Sequence, residues 1–136
     1  SLIRESGEFA VNLTTAAMAG VVDWCGVKSG RDLDKFKETG LTPLRASQIR
    51  APLLAESPIN MECRVTEVRE LGSHHLFLAE ILAVQADPAF HRGSTGYFDL
   101  GASAPICYCH GHYHRMGKHI GKFGFSVKKK RRKTRR

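Results

Sequence analysis

Residues 61–84 read MECRVTEVRELGSHHLFLAEILAV, and two strands joined by a turn account for this stretch better than a helix does. Met61, Cys63 and Val65 alternate with Glu62, Arg64 and Thr66, the period of a strand with one wet face. Beyond Thr66 the apolar phase slips to Val68, which predicts a bulge or a strong twist. Gly72-Ser73 marks the turn, and Leu76 to Val84 is expected to be a long, largely apolar strand buried on both sides.

Working outward, Glu8 to Leu13 alternates polar and apolar residues and predicts another half-buried strand. Residues 1–7 have the look of a helix already under way. Thr14 or Thr15 is a candidate cap for a segment in which Met18, Val21, Val22 and Cys25 share one helical face, with Gly26 as its stop. Ser29 and Asp32 have capping-box spacing, Leu33 and Phe36 can share a helix face, and Gly40 is a natural terminator. This stretch suits a structural connector and also an anion site, because free N–H groups at a helix start attract phosphate. Local rules leave both readings open.

The three prolines between residues 43 and 58 predict irregular chain with a short strand. Downstream, residues 87–99 read as a loop with a brief strand near Tyr97, Pro105 to Cys109 as a strand, and His112 to Gly121 as a short helix ending at a glycine. Paired antiparallel strands with peripheral helices argue for a mainly β, α+β domain of small-barrel type, with too few visible strands to close a barrel.

With 136 residues, 42% of them hydrophobic, the chain can bury one core without disulfides. No apolar run approaches a membrane span, and reduced Cys25, Cys63, Cys107 and Cys109 suit a cytoplasm. Eight of the 21 Lys and Arg lie between Lys128 and Arg136, and the other 13 balance the 13 acids. The body is thus neutral, and residues 128–136 are expected to form a disordered basic tail. Such a tail attracts phosphate without reading sequence, but the body shows no basic face with interleaved aromatics, so nucleic-acid binding is a minor alternative.

Of the chemistry-bearing clusters, Cys107 to His114 is the sharpest, yet it has no second half at a zinc-finger spacing. It reads as a strand end followed by wet histidines, with no metal site assigned. Of His74 and His75, just after the Gly72-Ser73 turn, one is expected to face inward and the other outward. There is no G-x-S-x-G elbow and no G-x-G-x-x-G dinucleotide loop, so catalysis would rest on a bound cofactor rather than on a side-chain nucleophile.

Four stretches, taken in order, resemble one family: SGEFAVNL (6–13), CGVKSGRDLDKF (25–36), LGSHHLFLAE (71–80) and GKFGFS (121–126). They resemble the flavin reductase-like, FMN-binding split-barrel proteins, the flavoredoxin-like group, over nearly all of residues 1–127. The resemblance implies a split β-barrel, a homodimer, and noncovalent FMN reduced by NAD(P)H before electrons pass to free flavin, a metal complex or a redox partner. It implies that Lys35 lies near the flavin or its phosphate, that His74 reaches the cofactor, and that Tyr108 packs against the ring. Asn12, Ser29, Gly30 and Phe36 are lesser candidates. Family members carry a further N-terminal segment that supplies the first barrel strands, so the barrel is expected to be incomplete at this end. A non-catalytic split-barrel domain without cofactor is the alternative.

Overall fold

The computed structural model describes residues 2–128. The expected tail, apart from Lys128, lies outside the described residues.

Helix α1 (Leu2–Ser6) leads through Gly7, whose φ of +69° permits the reversal, into β1 (Glu8–Asn12). A 3-10 turn (Ala16–Met18) opens α2 (Ala19–Val27), and α3 (Lys35–Thr39) follows after a turn. Short strands β2 (Pro43–Leu44) and β3 (Leu53–Leu54) pair with each other. The long hairpin comes next: β4 (Ile59–Leu71) and β5 (His74–Ala86). Two small strand pairs follow: β6 (His91–Arg92) with β7 (Tyr97–Phe98), then a hairpin of β8 (Ile106–Cys109) and β9 (His112–Arg115).

The central sheet is antiparallel in the order β1-β4-β5. Its pairing slips between Val65 and Glu67, where the apolar phase slips in the sequence, and again between Glu62 and Cys63. Gly72 turns the hairpin at φ +70°. The expectation that β5 is buried on both faces is corrected. From Leu76 to Glu80 exposed residues alternate with half-buried ones, and Ile81 and Val84 are 55% and 56% exposed. β5 is an edge strand with open side chains on both faces, so the continuous apolar run does not report two-sided burial here.

Two helix expectations also change. Ser29 and Asp32 form no capping box: Ser29 Oγ accepts from the backbone N–H of Arg31 in a turn, and α3 begins only at Lys35. Its cap is Asp34, whose Oδ1 accepts from Phe36 N and Lys37 N at 3.1 and 3.3 Å. The stop at Gly40 is as expected, left-handed at φ +70°. Gly26 does not end α2, which runs to Val27. There the free carbonyl of Cys25 accepts from the Lys35 ammonium at 2.6 Å, a cation at the negative end of the helix dipole.

His112 to Gly121 is not a helix. Residues 112–115 are strand β9, because His110 and Gly111 both adopt positive φ (48° and 80°) and close a two-residue hairpin turn. His74 and His75 are both exposed, since β5 at that point runs beyond the covered part of the sheet.

The buried apolar side chains are few: Met18, Ile49, Leu53 and Cys63. Polar groups complete the interior. Asn60 copies a strand pairing with Leu54, accepting from its N–H and donating to its carbonyl, both at 3.1 Å. The carboxylate of Glu62, fully buried, accepts from Ser47 N, Ser47 Oγ, Gln48 N and Gln85 Nε2 at 2.6–3.0 Å. This one side chain ties the 45–50 loop to the sheet.

Candidate functional site

Lys35, Gly30 and Phe36 come together. Lys35 is half-buried at the first position of α3 and lines a small apolar cavity of about 190 Å³ with Cys25, Phe36, Thr39 and Leu41. One of its three donors is spent on Cys25; the others remain for a ligand. A Cβ built on Gly30 would lie 3.6 Å from Lys35 Cε, an ordinary contact that places the glycine beside the lysine stem. Ser29 sits in the same turn with its hydroxyl engaged by Arg31 N. The first free N–H groups of α3 are filled by the carboxylate of Asp34. A phosphate therefore has the Lys35 cation to meet here, and not the helix start that the sequence suggests.

Asn12 lies elsewhere, at the end of β1, on an open groove of about 460 Å³ that it shares with Ile3, Phe9, Glu8, Arg50 and Pro52. Its Oδ1 is buried and has no hydrogen-bond partner among the described residues. Leaving a buried acceptor without a donor costs about 1–3 kcal/mol, so this atom is a place where a ligand N–H gains. Arg50 closes the groove's rim: its backbone N–H and Nε donate to Glu8 Oε1 at 2.7 and 3.2 Å. These bonds, the backbone one first, hold the Glu8 carboxyl below its ordinary value against the opposing effect of burial.

His74 stands at the tip of the long hairpin, where Ser73 Oγ and His74 Nδ1 are 2.8 Å apart. Beside it His75 Nε2 lies 3.7 Å from Glu70 Oε1, which also receives Arg4 at 2.8 Å. Tyr108 is 66% exposed on β8, and its ring packs on Tyr113 across the hairpin at 5.1 Å. Partial burial, and then the Asp23 carboxylate, raise the Tyr113 hydroxyl above its ordinary value, so this hairpin leans on α2. Lys35 and Asn12 line different cavities, and neither cavity includes His74 or Tyr108.

The donor set fits a phosphorylated flavin in kind. It offers a partly free cation for the phosphate, an unpartnered buried oxygen for a ring N–H, and an exposed aromatic for the ring face. Sequence reasoning ranked Asn12 among the lesser candidates, because no local pattern says which amide of a strand will lack a partner. The β8–β9 register sets Cys107 opposite His114 and Cys109 opposite His112 on one face. No three His, Cys, Asp or Glu side chains among the described residues are grouped to hold a metal. No helix of the described residues is long and apolar enough to cross a membrane.

Comparison with known proteins bears on the family and the fold. The flavin reductase like domain matches residues 1–117. The fold superimposes on flavoredoxin of Desulfovibrio vulgaris (Miyazaki F) with a TM-score of 0.83 and 28% identity, covering 93% of this chain and 68% of that one. An uncharacterized protein of Archaeoglobus fulgidus is 38% identical over 93 residues, 68% of this chain and 52% of its own length. The reductase component of a 4-nitrophenol 4-monooxygenase/4-nitrocatechol 2-monooxygenase from Rhodococcus opacus is 27% identical over 100 residues, 71% of this chain and 50% of its own. The chain thus spans about half the length of these curated relatives. Its architecture is that of the flavin reductase split barrels, and the chain belongs to the flavin reductase-like domain family.

Proposed function

We propose that this chain is the flavin-holding domain of an FMN-dependent reductase of the cytoplasm, taking hydride from NAD(P)H and passing electrons to free flavin, a metal complex or a redox partner. The observation that carries the reading is the family match over residues 1–117, joined to the likeness to a flavoredoxin over 93% of the chain. When bound, FMN supplies the hydride-accepting ring, the chemistry that no side chain here offers.

The chain's own residues bind and orient. Lys35, steadied on Cys25, meets the phosphate, while Ser29 and Gly30 border it and Phe36 walls the apolar side. Asn12 Oδ1 accepts from the ring edge, Tyr108 lies against a ring face, and His74 provides a polar handle from the hairpin tip. Residues so far apart in one chain are brought to one ligand by a homodimer in which β5 is covered. Leu76, Leu78, Ile81 and Val84 of β5 are each 41–56% exposed, open apolar side chains along this edge strand that a second copy would cover.

An absorption spectrum of the purified protein, followed by anaerobic titration with NADH and NADPH, tests the reading. Flavin bands that bleach on addition of either donor are expected. A colourless protein whose melting temperature FMN does not raise would make it a non-catalytic domain instead.

A further inference from the structure

A second cleft, of about 460 Å³, opens where the segment around β7 meets the chain leaving β9. Its wall includes Tyr97, Asp99, Ala104, Arg115 and His119. The charges in it are not balanced. Asp99 is already engaged: Arg92 Nε lies 3.3 Å from its Oδ2, and Ala102 N donates to its Oδ1 at 3.1 Å. The Arg115 side chain, by contrast, has no carboxylate or hydrogen-bond partner among the described residues. The cleft therefore presents a guanidinium without a partner among the described residues, and His119 and Tyr97 on the same wall are further donor side chains suited to an oxyanion.

The backbone marks the same place. Ala104 holds φ 54° and ψ 55°, left-handed for a residue with a side chain, at a cost of order 1 kcal/mol. It is kept there by Ala16 N donating to its carbonyl at 2.8 Å and by its own N–H donating to Gly101 at 3.1 Å. This left-handed residue caps the 3-10 turn Leu100–Ser103 and fixes the backbone on the wall of the cleft.

We propose that this cleft binds the phosphate end of a nucleotide, with Arg115 as the anchor and Tyr97 and His119 as supporting donors. The volume suits a mononucleotide-sized moiety. The inference rests on the reductase reading only for the origin of the ligand: the phosphates belong either to the nicotinamide dinucleotide donor or to a free flavin nucleotide acceptor. The charge argument stands without it.

Isothermal titration of the whole chain with inorganic pyrophosphate, NADH, NADPH and FMN, repeated on Arg115→Gln and His119→Gln, tests it. At least one of these ligands is expected to lose tenfold or more in affinity in Arg115→Gln, with a smaller loss in His119→Gln. Arg115-dependent binding of a dinucleotide identifies the donor, and Arg115-dependent binding of FMN identifies the acceptor. Unchanged affinity for all four ligands in Arg115→Gln overturns the proposal. Lys35→Ala, measured alongside, keeps the two sites apart. If pyrophosphate binding depends on Arg115 while no flavin binds the natural protein, the reductase reading fails and the cleft stands. Flavin binding that needs Lys35 but never Arg115, with no Arg115-dependent donor, sinks the cleft alone.

Discussion

Glu62→Gln changes one atom of a fully buried side chain and removes a charge on which the 45–50 loop depends. Burial alone would push this carboxyl up. The N–H groups of Ser47 and Gln48, then the Gln85 amide and the Ser47 hydroxyl, outweigh it and hold it down from the ordinary 4.5 to about 2. At 1.36 kcal/mol per pKa unit, the ionised form is favoured over the neutral one by about 3 kcal/mol. Glutamine approximates the neutral form and also points an N–H donor at donors, Gln48 N being only 2.6 Å from Glu62 Oε2. The variant is expected to lose about 3 kcal/mol in urea unfolding at pH 7, and about 10 °C in melting temperature. The sign with pH follows from a depressed folded value. The contribution is complete above pH 4.5 and is lost as pH falls from there through about 2. The natural protein should therefore weaken across that window more steeply than the Gln variant. Equal urea midpoints at pH 7, or parallel acid profiles, would refute the account of Glu62 as an ionised buried tie.

Lys35→Ala and His74→Ala are each expected to weaken FMN binding about tenfold by flavin fluorescence, about 1.4 kcal/mol, and unchanged affinity in both removes these two residues from the site. Asn12→Leu removes a buried acceptor that has no donor, so the flavin-free chain should melt higher while FMN affinity falls; both are read in one thermal-shift series with and without FMN. Gly72→Val forces a β-branched residue to φ +70° at the hairpin tip and is expected to cost about 1–2 kcal/mol by urea unfolding.

The long hairpin was legible because its signals are local. The alternation from Met61 to Val65, the phase slip after Thr66 and the glycine turn all survive as β4, the Val65/Glu67 register shift and Gly72. The failures share a cause, which is that tertiary partners overruled local chemistry. Ser29 and Asp32 have the right spacing for a cap, but Asp34 competes better because the helix begins at Lys35. Gly26 could have stopped α2, but the Cys25 carbonyl finds a lysine from the next helix and needs no left-handed residue. His112 to Gly121 has no strong strand pattern of its own; a histidine and a glycine at positive φ fold it back on β8. Among the candidate residues, Lys35 was singled out by a motif, whereas the orphaned oxygen of Asn12 and the open charge of Arg115 depend on what fails to pack against them.

That pattern of missing partners bears on how the domain works. With few apolar side chains buried among the described residues, and Leu76, Leu78, Ile81 and Val84 of β5 half open to water, much of their apolar surface lies outside the core. Polar ties such as Glu62 and Asn60 fasten the neighbouring loop and strand to the sheet, but they leave that apolar surface uncovered. Stability therefore depends on covering the sheet. In the proposed dimer the partner covers β5 while the flavin meets Asn12 beside β1, the opposite edge. Each event removes a separate cost, one of exposed apolar area and one of an unpaired acceptor. Because β4 lies between these edges and is hydrogen-bonded to both, ordering either one steadies the strand that carries the other. Cofactor binding and subunit association are then expected to reinforce one another through β4.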